Sequence, residues 1–186
     1  NTGYSVRAPM NKLDIDKQIE TIVDMYPNVY LLNNDKIVID DIEYIGSTLW
    51  SQPLETRGFT DFSLIYHNDE PLTKEIVKQW NVDAVNFIRS SLDEHNDKKK
   101  CVITHFMPLQ NLDIPNTKYD INQRIDSYFG NYLYDLIKEP DLWISGHTHQ
   151  SFDFEPKNTN TRWVCYPYGY PREQPNIEHD AAVIEL

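Results

Sequence analysis

Short apolar segments rich in branched residues alternate along the chain with segments of helical periodicity, and this alternation constrains the fold more than any other feature. A chain of this pattern is expected to bury its strands in a sheet that helices cover. We therefore predict an α/β fold with mixed strands, in which residues 1–186 form one domain. The predicted strands are NVYLLNN, KIVID, DIEYIGSTLW, KKKCVITHFMP, DLWIS, SFDFE, RWVCY and AAVIEL.

Three segments have the apolar spacing of an amphipathic helix. They are Asp14 to Tyr26, Thr73 to Leu92 and about Asn122 to Lys138. Thr73 is a suitable N-cap for the second segment, which is expected to form one helix or two. The dipeptide Asp40-Asp41 lies between two predicted strands and is expected to form a hairpin turn.

The chain is acidic, with a formal net charge of -12 at pH 7. Long nucleic acid is not expected to be a partner, because proteins that bind it usually cluster Lys and Arg on one surface. We interpret the single basic run, Lys98 to Lys100, as the solvated start of a strand. A small phosphate ester is not excluded, since a bound divalent cation can attract phosphate locally.

The two cysteines, Cys101 and Cys165, lie in apolar strand segments. This setting is typical of buried free thiols and favours a reducing compartment. No apolar run approaches the roughly 20 residues that a membrane-spanning helix needs, and the first residues lack the apolar core of a signal peptide. The sequence therefore predicts a cytoplasmic protein without a membrane partner.

Three of the six histidines stand where predicted strands end. Gly146 is expected to allow a sharp turn, so that His147 and His149 face one centre or two adjacent centres while Thr148 points elsewhere. Because the carboxyl ends of neighbouring strands converge, His105 is expected to join them. A single strand-end histidine is more often a hydrogen-bonded structural residue, and spacing alone does not separate zinc storage from catalysis.

The ordered segments VITHFMP, PDLWISGHTHQSFDFE and TRWVCYPYGYPREQPN resemble the C-terminal half of the calcineurin-like metallophosphoesterases. YPNVYLLNND and IEYIGSTLW resemble the middle section of the same family, so the resemblance runs from about Tyr26 to the C-terminus. It implies two mixed β-sheets packed as a sandwich and flanked by helices.

By this resemblance, His105 and His147 bind one divalent metal ion and His149 binds a second. The ions are expected to be Mn, Fe, Zn, Ni or Co. Two such cations about 4 Å apart turn a bridging water into a hydroxide that attacks phosphorus. The implied function is hydrolysis of phosphomonoesters or phosphodiesters, with a small phosphate ester or nucleotide as the substrate. No side chain is assigned a catalytic or substrate-binding role beyond the metal ligands.

The sequence departs from the family at its start. The family begins with a strand-end Asp-x-His, then Gly-Asp, then Gly-Asn-His, and these motifs do not occur in this order here. We expect a segment that carries them to precede Asn1, which one alignment places at the family's metal-binding asparagine. Phe106 stands where many relatives have a second histidine and is expected to shape the pocket.

Two other functions stay open. The chain is alternatively a degenerate, non-catalytic metallophosphoesterase-like module that acts through protein contacts. Otherwise the histidines have a structural role in a protein of unrelated function.

Overall fold

The computed structural model describes residues 10–110, 113–115, 123–169 and 183–186. Within these ranges the chain forms an α/β structure with two mixed sheets and a few helices. The α/β class is the one that the alternating pattern predicts. The helices are α1 (Lys12–Val23), α2 (Asp61–Leu64), α3 (Lys74–Asp93) and α4 (Gln123–Phe129). The strands are β1 (Met10–Asn11), β2 (Asp35–Ile39), β3 (Ile42–Ser47), β4 (Ile65–His67), β5 (Glu70–Pro71), β6 (Lys99–Thr104), β7 (Leu142–Ser145), β8 (Phe152–Phe154) and β9 (Arg162–Cys165).

The larger sheet has six strands in the order β2-β3-β6-β7-β9-β8. Its four inner strands, β3, β6, β7 and β9, run parallel, and each edge strand is antiparallel to its neighbour. The carboxyl ends of the inner strands therefore lie at one edge of the sheet. The smaller sheet has three strands in the order β1-β4-β5.

Two tryptophans form the centre of the larger sheet's core. Trp143 and Trp163 are register partners on β7 and β9, and both are fully buried. Trp143 donates its indole N–H to the Thr104 hydroxyl at 3.0 Å, and Trp163 donates to the Ser145 hydroxyl at 2.8 Å. Each bond fixes the last residue of a strand, so the core holds the starts of the two loops that follow β6 and β7.

The long predicted helix forms as one element. The Thr73 hydroxyl accepts a hydrogen bond from the Ile76 amide, as expected of an N-cap, and α3 continues without a break for 20 residues. The first predicted helix also forms, although no residue of α1 is buried.

The turn between β2 and β3 is confirmed. Asp40 and Asp41 have φ of 49° and 63°, and Ile39 pairs with Ile42 across them. Two consecutive left-handed residues are the requirement of the two-residue hairpin whose twist matches that of its strands.

Three predicted elements are wrong. NVYLLNN is not a strand, because its backbone pairs with no described strand, and it passes instead across the face of Gly46 with Leu32 in contact. The helix predicted from Asn122 to Lys138 ends at Phe129. Gly130 pairs with Met107 in a β-bridge, which redirects the chain out of the helix. Residues 183–186 of AAVIEL are not a strand, and the two alanines lie outside the described residues.

Lys100 is not solvated, contrary to our interpretation of the basic run. Its residue is only 9% exposed, and its ammonium donates to the carbonyls of Ser91, Leu92 and Glu94 at 2.9, 2.8 and 2.7 Å. These oxygens belong to the C-terminal end of α3, where the helix has no internal donors left. Lys100 therefore joins α3 to the strand that leads into His105.

Both cysteines are buried and free, as predicted. Within the described ranges, none of the helices has both the length and the apolar character to cross a bilayer.

Candidate metal site

His105 and His147 meet at the edge where the parallel strands end. His105 follows β6 directly, and His147 follows β7 after Gly146. The Gly146 amide donates to the His105 carbonyl at 3.0 Å, and the Phe106 amide donates to the Thr48 carbonyl at 3.1 Å. The loops after β3, β6 and β7 are thus linked by backbone hydrogen bonds. These bonds fix the backbone from which the two imidazoles extend.

The two imidazoles approach through a defined pair of nitrogens. Nε2 of His105 lies 3.1 Å from Nδ1 of His147, and the ring centroids are 4.9 Å apart. Without a metal this is a hydrogen bond between one N–H and one lone pair. Two imidazole nitrogens bound to one ion at about 2.0–2.1 Å lie roughly 3.0–3.4 Å apart for ligand angles of about 95–109°. The observed separation fits this range.

Both rings are held neutral at physiological pH. Burial, together with the nearby His105 and His149, lowers the pKa of His147 to about 3. Burial also lowers the pKa of His105, while the Asp61 charge opposes this effect and His149 adds to it. A neutral imidazole has a free lone pair, which is the form that binds a metal ion.

Three aromatic rings pack around His147. The centroids of Phe106, Phe129 and Tyr128 lie 4.2, 5.2 and 5.3 Å from its own. Its Nε2 atom is buried and has no hydrogen-bond partner. Nδ1 is the nitrogen of His147 that contacts the imidazole of His105. Phe106 is 2% exposed and is the nearest of the three rings to His147.

The turn that presents the second histidine differs from the expected one. His147 and His149 both have positive φ, 70° and 53°, whereas Gly146 does not. The histidines themselves adopt the left-handed conformation, whereas the sharp turn was expected at the glycine. Thr148 between them is 6% exposed, with its hydroxyl 4.0 Å from the Cys165 sulfur, so it points inward as expected.

His149 follows His147 by two residues in the same loop. Its electrostatic interaction with His105 and His147 contributes to the lowered pKa of both rings. Across the described ranges, no three or more His, Cys, Asp or Glu side chains are grouped so as to hold a metal ion. Asn1 lies outside the described residues, so its predicted contact is not seen.

A network of buried amide side chains lies next to the loops that carry the histidines, and no sequence pattern predicted it. Asn81 and Asn131 are 2% and 6% exposed, and their side chains bond each other at 2.8 Å. Asn131 also donates to the Met107 carbonyl at 3.0 Å, and Gln110 donates to the Gly130 carbonyl at 3.0 Å. These amides fix the loop after His105 against α3 and the end of α4. They come from distant segments, and no local pattern connects them.

No family model matches this chain. The chain is 29% identical over 167 residues to the uncharacterized protein L509 of Acanthamoeba polyphaga mimivirus, an alignment that covers 81% of this chain. The chain spans 59% of the length of that viral protein.

Proposed function

We propose that this chain is part of a binuclear metal-dependent phosphoesterase of the calcineurin-like class. The convergence of His105 Nε2 and His147 Nδ1 at 3.1 Å supports this proposal most strongly. A mixed sheet with both histidines at the carboxyl ends of adjacent parallel strands is compatible with the sandwich fold of that class. Under this proposal residues 1–186 belong to one domain.

The proposed division of roles follows the geometry of the nitrogens. His105 through Nε2 and His147 through Nδ1 hold one divalent ion, and His149 contributes to a second. When bound, two such ions would supply a hydroxide nucleophile and stabilise the negative charge on the phosphoryl oxygens. The lowered pKa of His105 and of His147 favours neutral ligands, which would leave the positive charge of a bound ion available to an anionic substrate.

The proposal requires carboxylate ligands in addition to the histidines. The described residues do not supply them in place. We therefore assign the activity to the full-length protein and propose that it carries Asp-x-His, Gly-Asp and Gly-Asn-His motifs.

A small phosphate ester or nucleotide is the proposed substrate. The net charge of -12 repels a long polyanion, whereas a metal-bound site attracts one phosphate group locally. Turnover of such esters is expected to exceed turnover of duplex DNA.

The test uses full-length protein reconstituted with Mn. Elemental analysis is expected to find about two ions per chain, and a generic aryl phosphodiester is expected to be hydrolysed. His105→Ala and His147→Ala should each lower the metal content. Each should also lower turnover by orders of magnitude. His95→Ala, which changes an exposed histidine just beyond α3, is the matched control and should leave both unchanged.

Wild-type protein that folds, retains no transition metal and hydrolyses no ester would contradict the proposal and favour the non-catalytic module. Full turnover by a folded His105→Ala variant would exclude the assigned ligand role. That result would leave His147 and His149 with another purpose.

A further inference from the structure

One segment has the sequence of a β-strand but no described strand beside it. Residues 28–32 read Asn-Val-Tyr-Leu-Leu, an apolar run with the branched and aromatic side chains that are typical of strands. Across the described ranges, no hydrogen bond joins the backbone amides of Tyr30, Leu31 and Leu32 to another residue. A segment with unpaired backbone groups of this kind is available for pairing with a further strand.

The helix that precedes this segment also lacks a partner for its apolar face. Ile15, Ile19 and Ile22 recur at the spacing of one helix face, yet no residue of α1 is buried. Ile22 is 57% exposed, and Met25, just beyond the helix, is 70% exposed. Most of the stability of an amphipathic helix comes from packing of its apolar face. The described part of the chain does not provide that packing for α1.

The helix and the strand-like segment form one continuous surface. The C-terminal end of α1, residues 29–33 and the edge strand β2 line a single groove of about 440 Å³. Single exposed apolar residues are ordinary, whereas a contiguous group marks a site of contact. We call this group the α1 surface, and its exposed apolar residues are Ile19, Ile22, Met25, Val29, Tyr30 and Leu31.

The charge of the groove distinguishes between two kinds of occupant. Glu20, Asp24 and Asp35 line it, while the ammonium of Lys36 is held by the Glu94 carboxylate at 2.5 Å. A second copy that docked through the same surface would bring these carboxylates against their own equivalents. Like charges placed opposite each other oppose association. The groove therefore favours a different segment over a second copy of this chain.

We infer that the α1 surface is the contact surface for a β-strand that belongs to the full-length protein outside residues 1–186. The chain spans 59% of the length of the viral protein L509, so that relative has further sequence that could supply such a strand. The added strand pairs with the backbone of residues 28–32, and its apolar side chains cover α1. This inference depends neither on metal binding nor on hydrolysis.

Amide hydrogen exchange of the wild-type full-length protein tests the backbone pairing. Successive amides of a strand point to opposite sides, so one added strand protects alternate residues. At least one of the adjacent amides of Tyr30 and Leu31 should exchange about 100-fold or more slowly than in an unstructured peptide, at low and high protein concentration alike. Exchange of both amides at the peptide rate would overturn the inference. Protection that grows with concentration, together with a dimer in sedimentation velocity, would assign the surface to a second copy and would also overturn it.

Matched substitutions in the full-length protein test the apolar contact. Ile22 and Leu54 are 57% and 56% exposed, and Tyr30 and Tyr132 are 54% and 55% exposed, but only the first of each pair lies on the α1 surface. Ile22→Gln and Tyr30→Gln should each lower the thermal midpoint by about 5 °C or more, as expected for loss of a covered apolar side chain. Leu54→Gln and Tyr132→Gln should each lower it by under about 2 °C.

Equal shifts within both pairs would contradict the inference, because side chains that stay in solvent respond alike to these changes. If an α1-surface variant does not fold while its control does, hydrogen exchange of the wild-type protein decides. Neither measurement involves a metal or a substrate. Failure of this inference is therefore distinguishable from failure of the proposed phosphoesterase function.

Discussion

The buried ammonium of Lys100 is expected to make one of the larger side-chain contributions to the stability of this fold. It donates to three carbonyls at the end of α3, and its nitrogen lies 3.8 Å from the Glu43 carboxylate, which is itself 5% exposed. Lys100→Met keeps most of the volume and removes the donors. A hydrogen bond from a charged group contributes about 1.5–3 kcal/mol. The loss on substitution is smaller than the sum of three such bonds, because solvent can reach part of the helix end. Glu43 also keeps a second ion-pair partner, since Lys36 lies 3.2 Å from its carboxylate.

We therefore expect Lys100→Met to lower the free energy of unfolding by about 3 kcal/mol. The same substitution two residues earlier is the control. Lys98 approaches Asp41 only at 3.5 Å, and the Asp41 side chain is 96% exposed, so Lys98→Met should cost under about 0.5 kcal/mol. Equilibrium urea denaturation of both variants measures the difference, with the slope of each transition showing whether unfolding stays two-state. Equal midpoints for the two variants would refute the capping role of Lys100.

Two further predictions concern the glycines and the thiols. A Cβ at Gly130 would lie 2.0 Å from the Leu109 carbonyl oxygen, whereas a Cβ at Gly146 would meet nothing closer than 3.6 Å. In urea denaturation, Gly130→Ala should therefore lower the free energy of unfolding by at least about 2 kcal/mol, and Gly146→Ala should lower it by under about 1 kcal/mol. A similar loss for both would contradict the packing at Gly130. Burial raises the pKa of Cys101 to about 12 and that of Cys165 to about 11, from an ordinary value of 9.0, so the unfolded chain loses these protons first and stability should fall as pH rises from about 9 toward 12. Native protein should also resist a disulfide thiol reagent at pH 8, and rapid labelling of both thiols without unfolding would contradict their burial.

The sequence predicted best where the physical cause is local. The N-cap at Thr73 and the turn at Asp40-Asp41 depend on neighbouring residues, and both form as predicted. The strands before His105 and His147 are short apolar runs, and each forms with the histidine just beyond its end. Local pattern was therefore sufficient to bring these two imidazoles to one edge of the sheet.

The errors occurred where distant segments decide the outcome. The helical stripe after Asn122 continues past Gly130, but pairing with Met107 ends the helix there. Lys100 belongs to a run of lysines that is typical of a protein surface. Its burial is explained by the position of the carbonyls at the end of α3, which accept its hydrogen bonds. The contact between Tyr128 and Asp61 joins residues 67 positions apart, which no spacing rule could have identified.

His147 and His149 both adopt a left-handed backbone conformation, which is unfavourable for a histidine although the candidate site needs their side chains. Asparagine and glycine adopt this conformation more readily than other residues, and relief of each strained position is worth about 1 kcal/mol. Variants selected only for heat resistance should therefore accumulate Gly or Asn at these two positions. Such variants would gain stability at the two positions where they lose the imidazoles. Selection for thermal stability alone would therefore remove the candidate site.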